Sequence, residues 1–181
     1  MKKVIKGELS VEGIKDIQRQ LEEYKKQLQS NTLKLAERLA DVGIVTAKSN
    51  VGNFGKYIIF SKRIEFSEGG CKVIMYARNE SEIISQWKTS DGIKTARVSP
   101  LLMAEFGSGK RAKNPKGING VGQGTFPGQT HAFFDEEGWY WQDLDDVWHH
   151  SYGITPTMPM YNASLEMIRS IESVAREIFD N

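Results

Sequence analysis

The clearest chemical suggestion in the sequence is Gly107-Ser108-Gly109-Lys110, because glycine amides and a lysine ammonium are the groups that hold a nucleotide phosphate. The spacing does not sustain it. A phosphate-binding loop reads Gly-x-x-x-x-Gly-Lys-Ser/Thr, and the place of its first glycine is taken by Ala104. Arg111 follows Lys110, so the hydroxyl that would reach magnesium is missing. A basic loop with Pro115 comes next, where a phosphate site needs the N-terminus of a helix. Nucleotide hydrolysis is therefore set aside. The glycines are better explained as freeing the backbone to turn out of a packed segment.

Other reactive side chains are no better organised. His131, His149 and His150 lie near Asp143, Asp145 and Asp146 in the sequence, but without the spacing of a zinc or non-haem iron site. In a strand, the adjacent His149 and His150 point to opposite faces. Glu105, Asp135 and Glu137 could be imagined as the paired carboxylates of a glycosidase, yet nothing in their spacing separates them from solvated acids. There is no Gly-x-Ser-x-Gly elbow, and the single cysteine, Cys71, has no electropositive neighbourhood. One cysteine also excludes an internal disulfide and a cysteine-rich zinc site. No catalytic, metal or cofactor role is assigned to any residue.

The charged and aromatic residues make a different pattern. Lys110, Arg111, Lys113 and Lys116 share one loop, while Asp135, Glu136 and Glu137 form one acidic turn and Asp143, Asp145 and Asp146 a second. Around these turns stand Trp139, Tyr140, Trp141, Trp148 and Tyr152. With 24 Lys and Arg against 23 Asp and Glu, the net charge of +1 argues against general nucleic-acid binding. Charge segregated into separate loops suits copies of one chain meeting head to tail, a basic loop against an acidic rim. The candidate interface residues are therefore Lys110, Arg111, Lys113, Lys116, Asp135, Glu136, Glu137, Trp139, Trp141, Asp143, Asp145 and Asp146.

The elements that must carry these residues can be read from periodicity. The chain of 181 residues suits a single domain of the α+β class. The expected architecture is an antiparallel sheet of several strands, packed by N-terminal helices and a C-terminal amphipathic helix, with a long Gly-rich loop. Residues 10–48 are helical, with Ser10 as N-cap and a break at Ser30-Asn31-Thr32. In the first part Ile14, Ile17, Leu21, Tyr24 and Leu28 recur at steps of three and four. That stripe is narrow enough to be a seam for one partner helix, in this chain or on a neighbouring subunit. In the second part the stripe is built from smaller residues such as Ala36, Ala40 and Gly43.

Residues 57–106 form the β-rich core, with strands at Tyr57–Phe60, Ile64–Phe66 and Cys71–Ala77, then Ile83–Lys88 and Ile93–Val98 about a tight turn at Asp91-Gly92. Leu101–Phe106 is helical or extended. Residues 107–130, with seven glycines, two prolines and four basic residues, form a loop too long for a passive connection. Residues 131–152 are an aromatic hairpin and 157–180 the last helix, with Pro159 in its first turn. The apolar runs are too short for a transmembrane helix, and MKKVIKGELS leads into no apolar signal core. A cytoplasmic site of synthesis is the expectation.

The order of these features resembles the tail-completion, or head–tail joining, family of long-tailed bacteriophages and phage-tail-like particles. "LLMAEFGSG" (101–109) is similar to that family's short apolar segment ending in Glu-Phe/Tyr-Gly-Thr/Ser-Gly. A Gly-rich loop and the aromatic "GWYW" (138–141) follow, and "GITPTMPMYNASLEM" (153–167) resembles the family's lead into its last helix. Two departures stand out. Ser49-Asn-Val-Gly-Asn-Phe-Gly-Lys replaces the usual Asp-Thr-Gly-x-Leu-x-x-Ser, and Pro156-Thr-Met-Pro lacks the usual arginine. The resemblance implies a structural virion protein forming a ring, of six copies, at the head-proximal end of a tail. It would be built in the bacterial host cytoplasm. Its implied partners are further copies of itself, the tail tube or tail terminator and the head-side connector, with DNA only passing through the lumen and no membrane involved. It implies no catalysis and no cofactor. Two alternatives come from the residues alone: a nucleic-acid-associated protein using the basic loop, and a metal-dependent hydrolase built on Glu105 and the histidines.

Overall fold

Forty consecutive residues, Val11–Asn50, wind into one helix, α1, in the computed structural model, which describes residues 5–67, 70–108, 111 and 139–180 (Ser67 and Trp139 by backbone alone). Ser10 starts it, its Oγ accepting the Gly13 N–H at 3.0 Å, with Glu12 in the first turn where the helix dipole favours an acid. The break expected at Ser30-Asn31-Thr32 is absent. The reason is local: the Thr32 hydroxyl donates to the Leu28 carbonyl at 2.8 Å, so a side chain suited to capping bonds back into the helix instead.

The second half of α1 is the spine of the body. Its buried residues are Ala40, Gly43 and Ala47, again at steps of three and four, but small enough for close approach. A Cβ placed on Gly43 would lie 2.7 Å from the Met75 sulfur and 2.8 Å from the Met167 sulfur, so the glycine makes room for two thioethers at once. After α1, a 3-10 turn over Gly52–Tyr57 leads into β1, Ile58–Ser67. β2, Gly70–Asn79, pairs antiparallel with β1 along its whole length, from Ile58 opposite Asn79 to Ser67 opposite Gly70. The two short strands expected at 57–60 and 64–66 are therefore one.

The remaining strands form a second sheet in the order β4-β3-β5-β6, so the α+β class stands with its strands in two sheets instead of one. β3 (Ile83–Thr89) and β4 (Gly92–Val98) make a hairpin, β5 (Trp139–Gln142) joins β3 at Lys88 opposite Gln142, and β6 (Trp148–Ser151) pairs with β5. The β3–β4 loop is Ser90-Asp91, one residue earlier than the expected Asp91-Gly92, and only Gly92 takes a positive φ, of 113°. A short helix, α2, covers Pro100–Phe106, which settles that segment as helical, and α3 covers Pro159–Phe179. The core gathers Ala47, Val51, Ile58, Phe60, Ala104 and Ala163, one or two residues from each of α1, β1, α2 and α3 and from the turn after α1.

Candidate assembly surface

The two segments 101–108 and 153–167, which carry most of the resemblance, lie far apart in sequence and meet in space. Glu105 is the centre of that meeting. It is the one buried charged side chain among the described residues, and both of its oxygens are used: Oε2 accepts the Met160 N–H at 2.8 Å and Oε1 the Tyr161 N–H at 2.9 Å. Those are orphan donors of the first turn of α3, where the residue before Pro159, Met158, offers no side-chain cap. A carboxylate there answers both the free N–H groups and the positive end of the helix dipole. Met158 holds a left-handed backbone (φ 52°, ψ 51°), and that strain is balanced where the Thr157 and Met158 N–H groups both donate to the Ala104 carbonyl, at 2.8 and 3.0 Å.

α2 is secured in the same fashion from elsewhere. Ser99 caps it, its Oγ accepting the Leu102 N–H at 3.3 Å, and Asn79 at the end of β2 accepts the Leu101 N–H at 2.9 Å while donating to the Ser99 hydroxyl. Gly107 then turns the chain at φ 71°. A Cβ there would stand 2.3 Å from the Ile154 carbonyl oxygen, so glycine is required both by conformation and by space. Ser108 and Ile154 exchange backbone hydrogen bonds of 2.9 and 3.2 Å just beyond. Gly107 is thus a structural joint, and both oxygens of Glu105 are engaged at the start of α3.

The aromatic hairpin presents two faces. Trp141 stacks on His149 with ring centroids 4.4 Å apart, and Tyr140 lies against His150 at 4.4 Å on the other side, as the alternation of a strand requires. Tyr140 and Trp148 stay about two-thirds exposed. A groove of about 720 Å³ lies on this sheet between Trp87, Val98, Trp141, Trp148 and Ile154.

The second acidic turn is largely occupied by its own chain. Asp143 accepts the N–H groups of Asp145 and Val147 on Oδ1, and its Oδ2 meets His149 Nε2 at 2.7 Å. The His149 hydrogen bond, then that of the Val147 N–H, holds the Asp143 carboxyl below the ordinary carboxylate value. Asp146 pairs with Lys88 at 2.7 Å. Asp145 is exposed at the tip. Arg111 places its guanidinium 5.6 Å from the Tyr152 ring centroid, a cation–π contact inside the chain. Lys110, Lys113, Lys116, Asp135, Glu136 and Glu137 lie outside the described residues, as does the side chain of Trp139. Of the residues singled out from the sequence, the structure brings together Trp141 and Asp143, through His149, and sets Asp145 and Asp146 on the same turn.

Other surface features were not singled out in the candidate set. Glu105 was weighed only as a solvated acid or a hydrolase carboxylate, and Lys88 carried no signal. The exposed first half of α1 did carry one, in its heptad-like stripe. Leu21 and Leu28 are about half exposed and Tyr24 about a third. Among the described residues, no group of three His, Cys, Asp or Glu side chains is arranged to hold a metal ion, and no helix is long and apolar enough to cross a membrane. No family model, curated protein or solved structure matches this chain.

Proposed function

We propose that this chain is a structural virion protein that forms a ring at the head-proximal end of a phage or phage-like tail. There it would complete the tail and join it to the head-side connector, with DNA passing through the bore unread. The observation that carries the reading is the contact between the two resembling motifs. "LLMAEFGSG" and "GITPTMPMYNASLEM" form one joint through Glu105, Ala104 and Gly107. Residues that depend on one another in this way make sense as a recurring pair in a family of such proteins.

Surface character supports the same reading. Large apolar side chains stay exposed on α1, on α3 and on the aromatic hairpin, a distribution that calls for protein neighbours. Near-neutral charge fits a lumen-lining or tube-capping component better than a nucleic-acid binder. Against the hydrolase alternative, both Glu105 oxygens accept N–H groups at the start of α3. Electron microscopy of particles made with and without the gene tests the proposal. Its absence is expected to leave heads and tails unjoined, or tails missing their head-proximal ring; particles identical in both preparations would refute it.

A further inference from the structure

Among the described residues the second sheet, β4-β3-β5-β6, has no strand beyond β4 and none beyond β6. An edge of this kind carries backbone N–H and C=O groups that a further strand can take up. β4 contains no proline and keeps an unbroken register with β3, so neither a proline nor a bulge blunts its edge. What guards it is charge, in Lys94 and Arg97.

The register shows how the two edges relate. Ile93 lies opposite Lys88, Lys88 opposite Gln142, and Gln142 opposite Trp148. These four make one row across the sheet, with their side chains on one face. The row begins and ends on a large apolar side chain, Ile93 at 59% exposure and Trp148 at 66%. β4 and β5 are both antiparallel to β3, so Lys94 and Arg97 lie on the same side of this row as the acidic turn that follows Gln142.

We infer that the β4 edge of one copy pairs antiparallel with the β6 edge of the next, Ile93 opposite Trp148, so that the second sheet continues from copy to copy. The inference rests on the ring reading above. Rotation about an axis along the strands carries each row to its own level in the next copy, and a contact between two different edges repeats until the ring closes. An aromatic and a β-branched side chain then meet on one face, a pairing that stabilises adjacent strands. The charges also meet with opposite sign. Among the described residues Lys94 has no ion pair, and Arg97 reaches Glu82 at 3.7 Å. Facing them is the exposed Asp145, between Asp143 and Asp146, which His149 and Lys88 already engage. Asp91, on the other side of the row, comes level with His150 and not with the acidic turn. Two β4 edges meeting each other would instead set Lys94 and Arg97 against their own copies.

Cysteine cross-linking of the full chain tests this. In a Cys71→Ser background, Ile93→Cys and Trp148→Cys are made as separate proteins, each checked for a melting curve like that of the background. Mixed under mild oxidation, they are expected to give a disulfide-linked pair that neither gives alone. Directly opposite Cα atoms lie about 4.5–5.5 Å apart, inside the range of a disulfide. A linked pair from Ile93→Cys alone would mean that like edges meet and would overturn the inference, as would a mixture that stays unlinked. Charge supplies a second arm. Lys94→Glu is expected to lower the sedimentation coefficient of the multimer, and mixing it with Asp145→Lys to restore it through alternating copies. No loss with Lys94→Glu, or no restoration in the mixture, would overturn the pairing too. The ring reading is judged separately by microscopy, so a ring without this cross-link leaves that reading standing and removes only this contact.

Discussion

The two halves of α1 carry the same periodicity and meet opposite fates. In the second half, Ala40, Gly43 and Ala47 are buried against the body; in the first, Leu21, Tyr24 and Leu28 stand open. What separates them is side-chain size. Small residues let α3 and β2 come close to the helix backbone, as the two methionine sulfurs over Gly43 show. Large residues hold a partner further away and must bury more surface to be worthwhile; Leu21 and Leu28 stay about half exposed, Leu28 beside a groove it shares with Phe66 and Cys71. A helical stripe thus tells more than the presence of a partner. The size of its residues here separates the half packed by the chain itself from the half left exposed.

Substitutions in the body should lower stability in proportion to burial, whereas those in the open half should leave it unchanged. The largest effect is expected at Phe60, which shares the core with Ala47: Phe60→Ala should cost about 3–5 kcal/mol in chemical denaturation. A loss below about 1 kcal/mol would mean the body is not packed as described. Next is Glu105→Ala, which strips two charge-assisted hydrogen bonds from the start of α3 and should cost about 2–3 kcal/mol by the same measurement. Glu105→Gln, keeping one acceptor, should recover part of the loss.

Leu21→Ser with Leu28→Ser lies on the other side of the comparison. This pair should change monomer stability by no more than about 0.5 kcal/mol, since both side chains are already about half exposed. A large drop in the melting temperature would show that the open half is packed after all. The smallest effect concerns pH. The folded-state value of Asp143 is depressed, so its contribution is present above the unfolded carboxylate range and is lost as pH falls below about 4. Tryptophan fluorescence should report loosening of the β5–β6 turn in that acid range, ahead of global unfolding. Asp143→Asn should remove the transition, and its persistence in that variant would assign it to another group.

Much of the fold was legible because it depends on local chemistry. Ser10 and Pro159 mark the starts of α1 and α3 as their types predict, and the strand hairpins follow alternation. The missed features depend on what a side chain meets far away. Thr32 looks like a cap until its hydroxyl is seen bonded to Leu28, and a helix held along its second half runs through it. Glu105 caps a helix that begins 54 residues later, and Gly107 is required as much by the distant Ile154 carbonyl as by its own turn. The acidic turn was visible, but not that Lys88 and His149 already engage it. At Asp143 and Asp146, charge clustered in sequence is thus already met within the chain, while the apolar stripe of α1 faces outward.

The central claim is that copies of this chain assemble through exposed apolar faces, the open half of α1 among them. Sedimentation velocity of the unmodified protein beside the Leu21→Ser, Leu28→Ser variant tests it most directly. The expected result is a multimer for the unmodified chain and a monomer of unchanged melting temperature for the variant. The same sedimentation coefficient for both proteins would contradict the claim.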